Sequence, residues 1–257
     1  MKKMILRVLL ALLLLVLLAA AGFGVLYAGR LRTVNSIEKI TDYSDYNLYR
    51  MDVRYDYSID DVINYGITDN QSMIDAILKE TLPLLPIHMK APQFGCSAFA
   101  TVQDRHIVMG RNYDFKRDTS AMLVYCTPKD GYKSVALAAL DNISANQPDV
   151  SMAKKLACLT APFICLDGMN EKGVSIAVLT LDSEPVNQDT GKQKIFTTLA
   201  IRLVLDRAAT TQEAVDLLDS YDMFATSGRD YHFFVTDAAG DARVIEYDPE
   251  QEGRPLR

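Results

Sequence analysis

Residues 8–29, VLLALLLLVLLAAAGFGVLYAG, are an uncharged run of 22, and a run that long and apolar has no place on the surface of a domain folded in water. As a helix, ~20 such residues cross the hydrocarbon core of a bilayer. Lys2, Lys3 and Arg7 come before it, and a basic flank favours a cytoplasmic N-terminus. The competing reading is a signal peptide, with Leu9–Leu18 as its core and Ala19-Ala20-Ala21 as the cleavage site. Signal-peptide cores are ~7–15 residues long, and here the apolar run continues past the alanines, which favours an uncleaved anchor. Both readings export the rest of the chain. It is either a domain on the extracytoplasmic side of the cell membrane or, with residues 1–29 removed, a secreted protein.

The exported remainder is composed as a globule. Of the 257 residues, 49% are hydrophobic and 23% charged, too apolar for a disordered chain and long enough for a real core. The net charge of −6 and pI near 5.1 argue against nucleic acid, whose phosphates demand a basic face. Export permits disulfides. The four cysteines, Cys96, Cys126, Cys158 and Cys165, form no CxxC pair and no Cys/His cluster at zinc-ligand spacing, so no metal or other cofactor is expected. Cys126 lies in MLVYCTP, and Cys158 and Cys165 flank an apolar stretch. These three read as buried small hydrophobes.

Residues 30–95 read as a polar, Tyr- and Asp-rich leader with two short helices. Ser58 is placed to N-cap IDDVINYG. Asp69 or Asn70 is placed to cap QSMIDAILKETL, which stops before Pro83 and Pro86. From Cys96 the pattern is β. CSAFATV and HIVMGRNYD flank Gln103-Asp104-Arg105 as one hairpin; MLVYCTP and YKSVALAAL flank Lys129-Asp130-Gly131 as another. The turn DGMNEKG, 167–173, launches VSIAVLTL. KQKIFTTLAIRLVLDRAA has helical spacing, and Thr210-x-x-Glu213 is a capping box for QEAVDLLDSY. DYHFFVTD and ARVIEY come last, around Ala239-Gly240. Hairpins, then helices, then a hairpin predict an α+β fold with helices packed on antiparallel sheet. The sequence ends at EQEGRPLR without an evident closing element, so residues 96–257 are expected to be the N-terminal part of a larger core.

Cys96 heads the first hairpin, directly after Gly95, and a thiol attacks carbonyls only as thiolate. Three arrangements are open. In a papain-type dyad, His232 lies 136 residues downstream, within the usual separation. However, that cysteine normally begins a helix, and here strand alternation follows it. In the second, Cys96 is an ordinary core residue, as free cysteines often are. In the third, the Gly95–Cys96 bond is cut and the new α-amine, with a pKa of ~7.7–8.0, is the base. Arg111 and Asp114 would then lie beside the cysteine across the hairpin; their bland reading is a surface ion pair of little consequence.

GCSAF at 95–99, GRNYDF at 110–115 and LDGMNEKGVSIAVLTL at 166–181 together resemble the N-terminal-nucleophile (Ntn) cysteine amidases. That group holds the choloylglycine hydrolases and penicillin V acylases, the acid-ceramidase-type amidases and the fungal penicillin acyltransferases. YHFFVTDAAGDARVIEY, 231–247, adds a weaker fourth block. The resemblance implies an αββα sandwich, which in this sequence is expected to be incomplete at its C-terminal end and to follow the transmembrane helix read from residues 8–29. It also implies that Cys96 is the nucleophile, its amine the base, Arg111 the group positioning the thiolate and Asp114 the group holding the amine. The family's oxyanion side chain, Asn or Tyr, aligns with Thr180, a departure whose shorter hydroxyl leaves main-chain amides to share the task.

The expectation is an anchored amidase of linear C–N bonds, acting on N-acyl amide small molecules through an acyl-thioester on Cys96 and exposed by cleavage at Gly95–Cys96. Its parts are an anchor or signal peptide (1–29), a propeptide or retained small subunit (30–95) and the Ntn core (96–257). Membrane contact runs through the N-terminal helix, and homo-oligomers stay open. The alternatives are a bile-salt hydrolase or penicillin V acylase proper, or an inactive anchored binding module of the same fold.

Overall fold

The computed structural model describes residues 2–42, 47–87, 89, 96–103, 106–113, 120–225 and 228–257. It begins with helix α1 (Lys2–Asn35), which contains the apolar run and continues unbroken past Gly29. The leader then contributes two strands, β1 (Glu38–Asp42) and β2 (Asn47–Asp52), before helices α2 (Ile59–Ile63) and α3 (Asn70–Thr81). The two helices start where the capping residues predict. Ser58 accepts from the Asp61 amide, and Asp69 accepts from the Ser72 amide.

Next come the hairpin β3 (Cys96–Gln103) and β4 (His106–Tyr113), then β5 (Ala121–Cys126) and β6 (Ser134–Ala139). A short helix α4 (Met152–Ala157) and a 3-10 turn lead to β7 (Asp167–Asn170) and β8 (Ser175–Leu181). β9 (Lys194–Phe196) runs into α5 (Thr197–Arg207), followed by α6 (Thr211–Asp219), β10 (Asp222–Phe224), β11 (Asp230–Thr236) and β12 (Ala242–Ile245). The leader strands β1 and β2 and the short β10 are not in the sequence reading, and two boundaries differ from it. Lys194–Phe196, predicted helical, pairs as a parallel strand with β10. Asp167–Asn170, predicted as turn, is already strand, and the reversal occupies 171–174, with Gly173 at φ +86.

Eight strands form one sheet in the order β1-β2-β5-β6-β7-β8-β11-β12, antiparallel except where β2 meets β5. β8 lies near its middle, buried on both faces, which is why SIAVLTL is nearly continuously apolar rather than alternating. α5 covers one face across β7 and β8, and the separate hairpin β3–β4 lies against β8 and β11. Gly168 is required by close approach on both sides: a Cβ there would stand 2.8 Å from the Val135 carbonyl oxygen and from Ala136 Cβ of β6, and 2.8 Å from Leu205 Cδ1 of α5.

The leader is woven into this body. Tyr49, Met51 and Val53 are buried while Arg50 and Asp52 alternate outward, a period-two pattern. Tyr55 donates its hydroxyl to the Leu159 carbonyl at 2.6 Å, and Tyr57 donates to Asp206 Oδ1 at 3.2 Å. Asp206 in turn pairs with the wholly buried Arg202 at 2.8 Å.

Candidate active site

Arg111 occupies β4 opposite Ala98 of β3, and Cys96 heads β3 opposite Tyr113. Two-residue alternation puts positions 96, 98 and 111 on one face of the hairpin. On that face the Arg111 guanidinium meets the eight-stranded sheet. Nη1 donates to Asp167 Oδ2 at 3.1 Å, and Nη2 reaches the Val178 carbonyl at 3.4 Å. The two side chains of the ion pair are only 5% and 15% exposed. Burial pushes the Asp167 carboxyl up to about 6, and the adjacent guanidinium only partly opposes that rise. The carboxylate is therefore held charged at neutral pH against the preference of its surroundings.

Asp167 also lines a cleft of about 370 Å3 between β4 and strands β5 to β7. The walls are apolar, formed by Met109, Leu123, Val135, Leu137 and Met169. A charged pair at the rim of an apolar slot of that volume is the usual layout of a small-molecule site. Among the described residues, no group of three or more His, Cys, Asp or Glu is arranged to hold a metal.

The other sequence-predicted residues are placed as follows. Asp114 and Gly95 lie outside the described residues. Thr180 stands on β8 opposite Tyr231. Its phase along the strand is that of Ile176, the partner of Gly168, on the face covered by α5. Asp167 pairs with Ala177 and so belongs to the other face. The structure thus joins Arg111 to the Cys96 strand and the cleft, and it sets the Thr180 side chain on the far side of β8. His232, the papain-type alternative, places Nδ1 at 3.0 Å from Glu246 Oε1 and reads as structural. Cys126, Cys158 and Cys165 are free and buried. Burial pushes the Cys158 thiol up to about 12 and holds those of Cys126 and Cys165 above the usual range, so none is a nucleophile at neutral pH.

Sequence reasoning missed Asp167, which sits inside a segment of turn-forming letters. The signal available was an acid immediately after the apolar ICL at 164–166.

The sequence profile of linear amide C–N hydrolases, choloylglycine hydrolase family, matches residues 96–252. Among solved structures, the chain is similar to penicillin V acylase from Agrobacterium tumefaciens: 18% identity and a TM-score of 0.37 over 62% of this chain and 51% of that one. Two variants of the conjugated bile acid hydrolase from Clostridium perfringens align at 18% and 17% identity, each with a TM-score of 0.42. They cover 63% and 62% of this chain and 50% and 49% of their own. The chain spans about half the length of these solved structures. A search of curated proteins gives no match.

Proposed function

The chain belongs to the choloylglycine hydrolase family of linear amide C–N hydrolases, and on that premise we propose that it cleaves N-acyl amides with Cys96 as nucleophile. The observation that carries this reading is the buried Arg111–Asp167 pair, on the hairpin face shared by position 96 and beside an apolar cleft. A buried ion pair whose carboxylate is raised to about 6 contributes little to stability. Its value is a fixed positive charge where a thiolate and then an oxyanion must form.

In this mechanism the bond between Gly95 and Cys96 is cut, and the freed α-amine accepts the Cys96 proton, its pKa of ~7.7–8.0 being suited to neutral pH. Asp114 holds that amine. The thiolate attacks the substrate carbonyl, and the amine returns the proton to the departing amine product. Water, deprotonated by the same base, then hydrolyses the acyl-thioester. The apolar lining of the cleft suits a lipid-like or aromatic acyl group. Because Thr180 shares the phase of the α5-covered face, we assign oxyanion donation mainly to main-chain N–H groups, each worth ~3–4 kcal/mol.

We also place β3–β4 as the first strands of a second sheet, which makes the fold an αββα sandwich, and we place the globule on the extracytoplasmic side behind α1. Residues 30–95 are assigned as a retained small subunit, because β2 pairs with β5 and Tyr55 and Tyr57 bond across to the core. The test uses the full-length protein and an N-acyl amide of long acyl chain. Rapid quench and intact mass should show a fragment beginning Cys-Ser-Ala-Phe that gains the acyl mass, and neither in Cys96→Ala. Hydrolysis with the Gly95–Cys96 bond intact would sink the autoprocessed mechanism.

A further inference from the structure

The end of α1 is locked to the globule. Tyr27, Arg30, Thr33 and Val34 are buried. Arg30 donates through Nε to the Thr81 carbonyl and through Nη2 to the Glu80 carbonyl, both at 2.6 Å. These are carbonyls that the last turn of α3 leaves without helical partners. Thr33 Oγ1 accepts from the Arg54 amide at 2.7 Å. Gly29 lies so close to the leader that a Cβ would stand 2.6 Å from the Arg54 carbonyl oxygen. A helix held by this many contacts cannot act as a swivel.

The same contacts bring the loop after α3 to the outer end of the apolar run. Tyr27 donates its hydroxyl to the Pro83 carbonyl, and Phe23 stacks on Tyr27 with ring centroids 4.4 Å apart. Leu82 is buried, yet Leu84, two residues on, is 81% exposed and has φ +68. A leucine in the left-handed region is a strained choice where glycine or asparagine would be at ease. Here the strain turns an apolar side chain outward rather than into the core. Beside a spanning helix, that outward direction is lipid. Tyr27 stands where the apolar run gives way to Arg30, the place of the aromatic belt of a transmembrane helix.

We propose that the loop 82–87 is a second membrane contact, with Leu84 seated in the outer-leaflet interface next to Phe23 and Tyr27. This rests on the reading of α1 as an uncleaved anchor. With two attachment points, one a helix that cannot swivel, the globule is held at a fixed attitude to the bilayer. Before cleavage, eight residues lie between Ile87 and Cys96, and nine steps of ~3.3–3.6 Å bring Cys96 to within roughly 30 Å of the loop at the moment the Gly95–Cys96 bond is cut.

The sequence contains no tryptophan, so single reporters can be introduced into the full chain. Leu84→Trp, Phe23→Trp and Val244→Trp, the last exposed on β12 at the opposite edge of the sheet, would be reconstituted in phosphatidylcholine vesicles with and without brominated acyl chains. The expected result is at least two-fold quenching by bromine, with a blue-shifted emission, at positions 84 and 23, and none at 244. Quenching at 23 without quenching at 84 would overturn the loop contact while leaving the anchor standing. A blue shift at 84 without bromine quenching would overturn it too, pointing to a second copy of the chain as the occupant. No quenching at either position would remove the anchor and the proposal together.

Discussion

Replacing Asp167 by Asn should make the protein more stable at neutral pH and far less active. The carboxyl titrates near 6 in the fold, above the ~3.9 of an unfolded chain. A group raised in this way adds stability below its unfolded pKa, and that increment is lost as pH rises through the folded value. Over that window the wild type should lose about 2–3 kcal/mol relative to a neutral isostere, at ~1.4 kcal/mol for each tenfold change. Asp167→Asn should therefore match the wild type near pH 4 and exceed it at pH 7.5, by roughly 5–10 °C in Tm for a domain of this size. Arg111→Met should push the Asp167 carboxyl further up, so that it takes up a proton instead of remaining a stranded charge, and the pH dependence of Tm should move to higher pH. Activity carries the second readout. With Asp167 and the α-amine both required deprotonated, log kcat/KM should fall with slope 1 below pH 8 and slope 2 below pH 6. In Asp167→Asn the lower break should vanish, and kcat should drop about 100-fold with little change in KM, as expected when a positioned charge is released. An Asn variant less stable than the wild type at pH 7.5, or one retaining the break near pH 6, would refute the assignment.

Three further outcomes are expected from the same geometry. Thr180→Val should keep kcat/KM within about three-fold, since main-chain donors carry the oxyanion; a loss of 100-fold or more, equal to a whole donor, would return that role to the hydroxyl. Asp114→Asn should fold with the wild-type Tm yet abolish both cleavage at Gly95–Cys96 and amide hydrolysis, and full activity in a folded variant would remove Asp114 from the site. The cleaved leader should co-elute with the core in gel filtration in mild detergent and separate only in denaturant, so that its release in mild detergent alone would show it to be an excised propeptide.

Local signals carry much of the fold. Ser58, Asp69 and Thr210 cap their helices as their spacing predicts, and the hairpins β3–β4 and β5–β6 close where turn letters interrupt alternating runs. The hidden part is non-local or written in ambiguous letters. NLYRMD alternates only from Tyr49 onward, tyrosine and methionine among aspartates read as polar leader, and only pairing with β5 reveals a strand. KIF merges with the following helix because Phe196, its N-cap, supplies no side-chain capping bond to mark the start. Asp167 reads as a turn residue because Gly168 follows it. That glycine answers instead to the close approach of Val135 and Ala136 on β6 and Leu205 on α5, so the same two letters encode a strand under a helix.

The site is half legible for a related reason. Cys96, Arg111 and Asp114 lie within one short stretch of sequence, where a motif can be read from neighbouring residues. The carboxylate that holds Arg111 is 56 residues further along, and no local pattern announces such a pairing. Thr180 shows the converse. A motif carries its position into the candidate set, but strand phase decides which face a side chain serves, and a shift of one residue reverses it. Ala177 and Leu179, one residue either side of Val178, share the phase of Asp167, whereas Thr180 does not. The β8 amides are themselves taken up in the ladders with β7 and β11, so in the proposed mechanism the main-chain oxyanion donors lie outside β8. Substitution of Thr for Asn or Tyr at position 180 is then a change the site can absorb, and loss of the charge held by Asp167 is one it cannot.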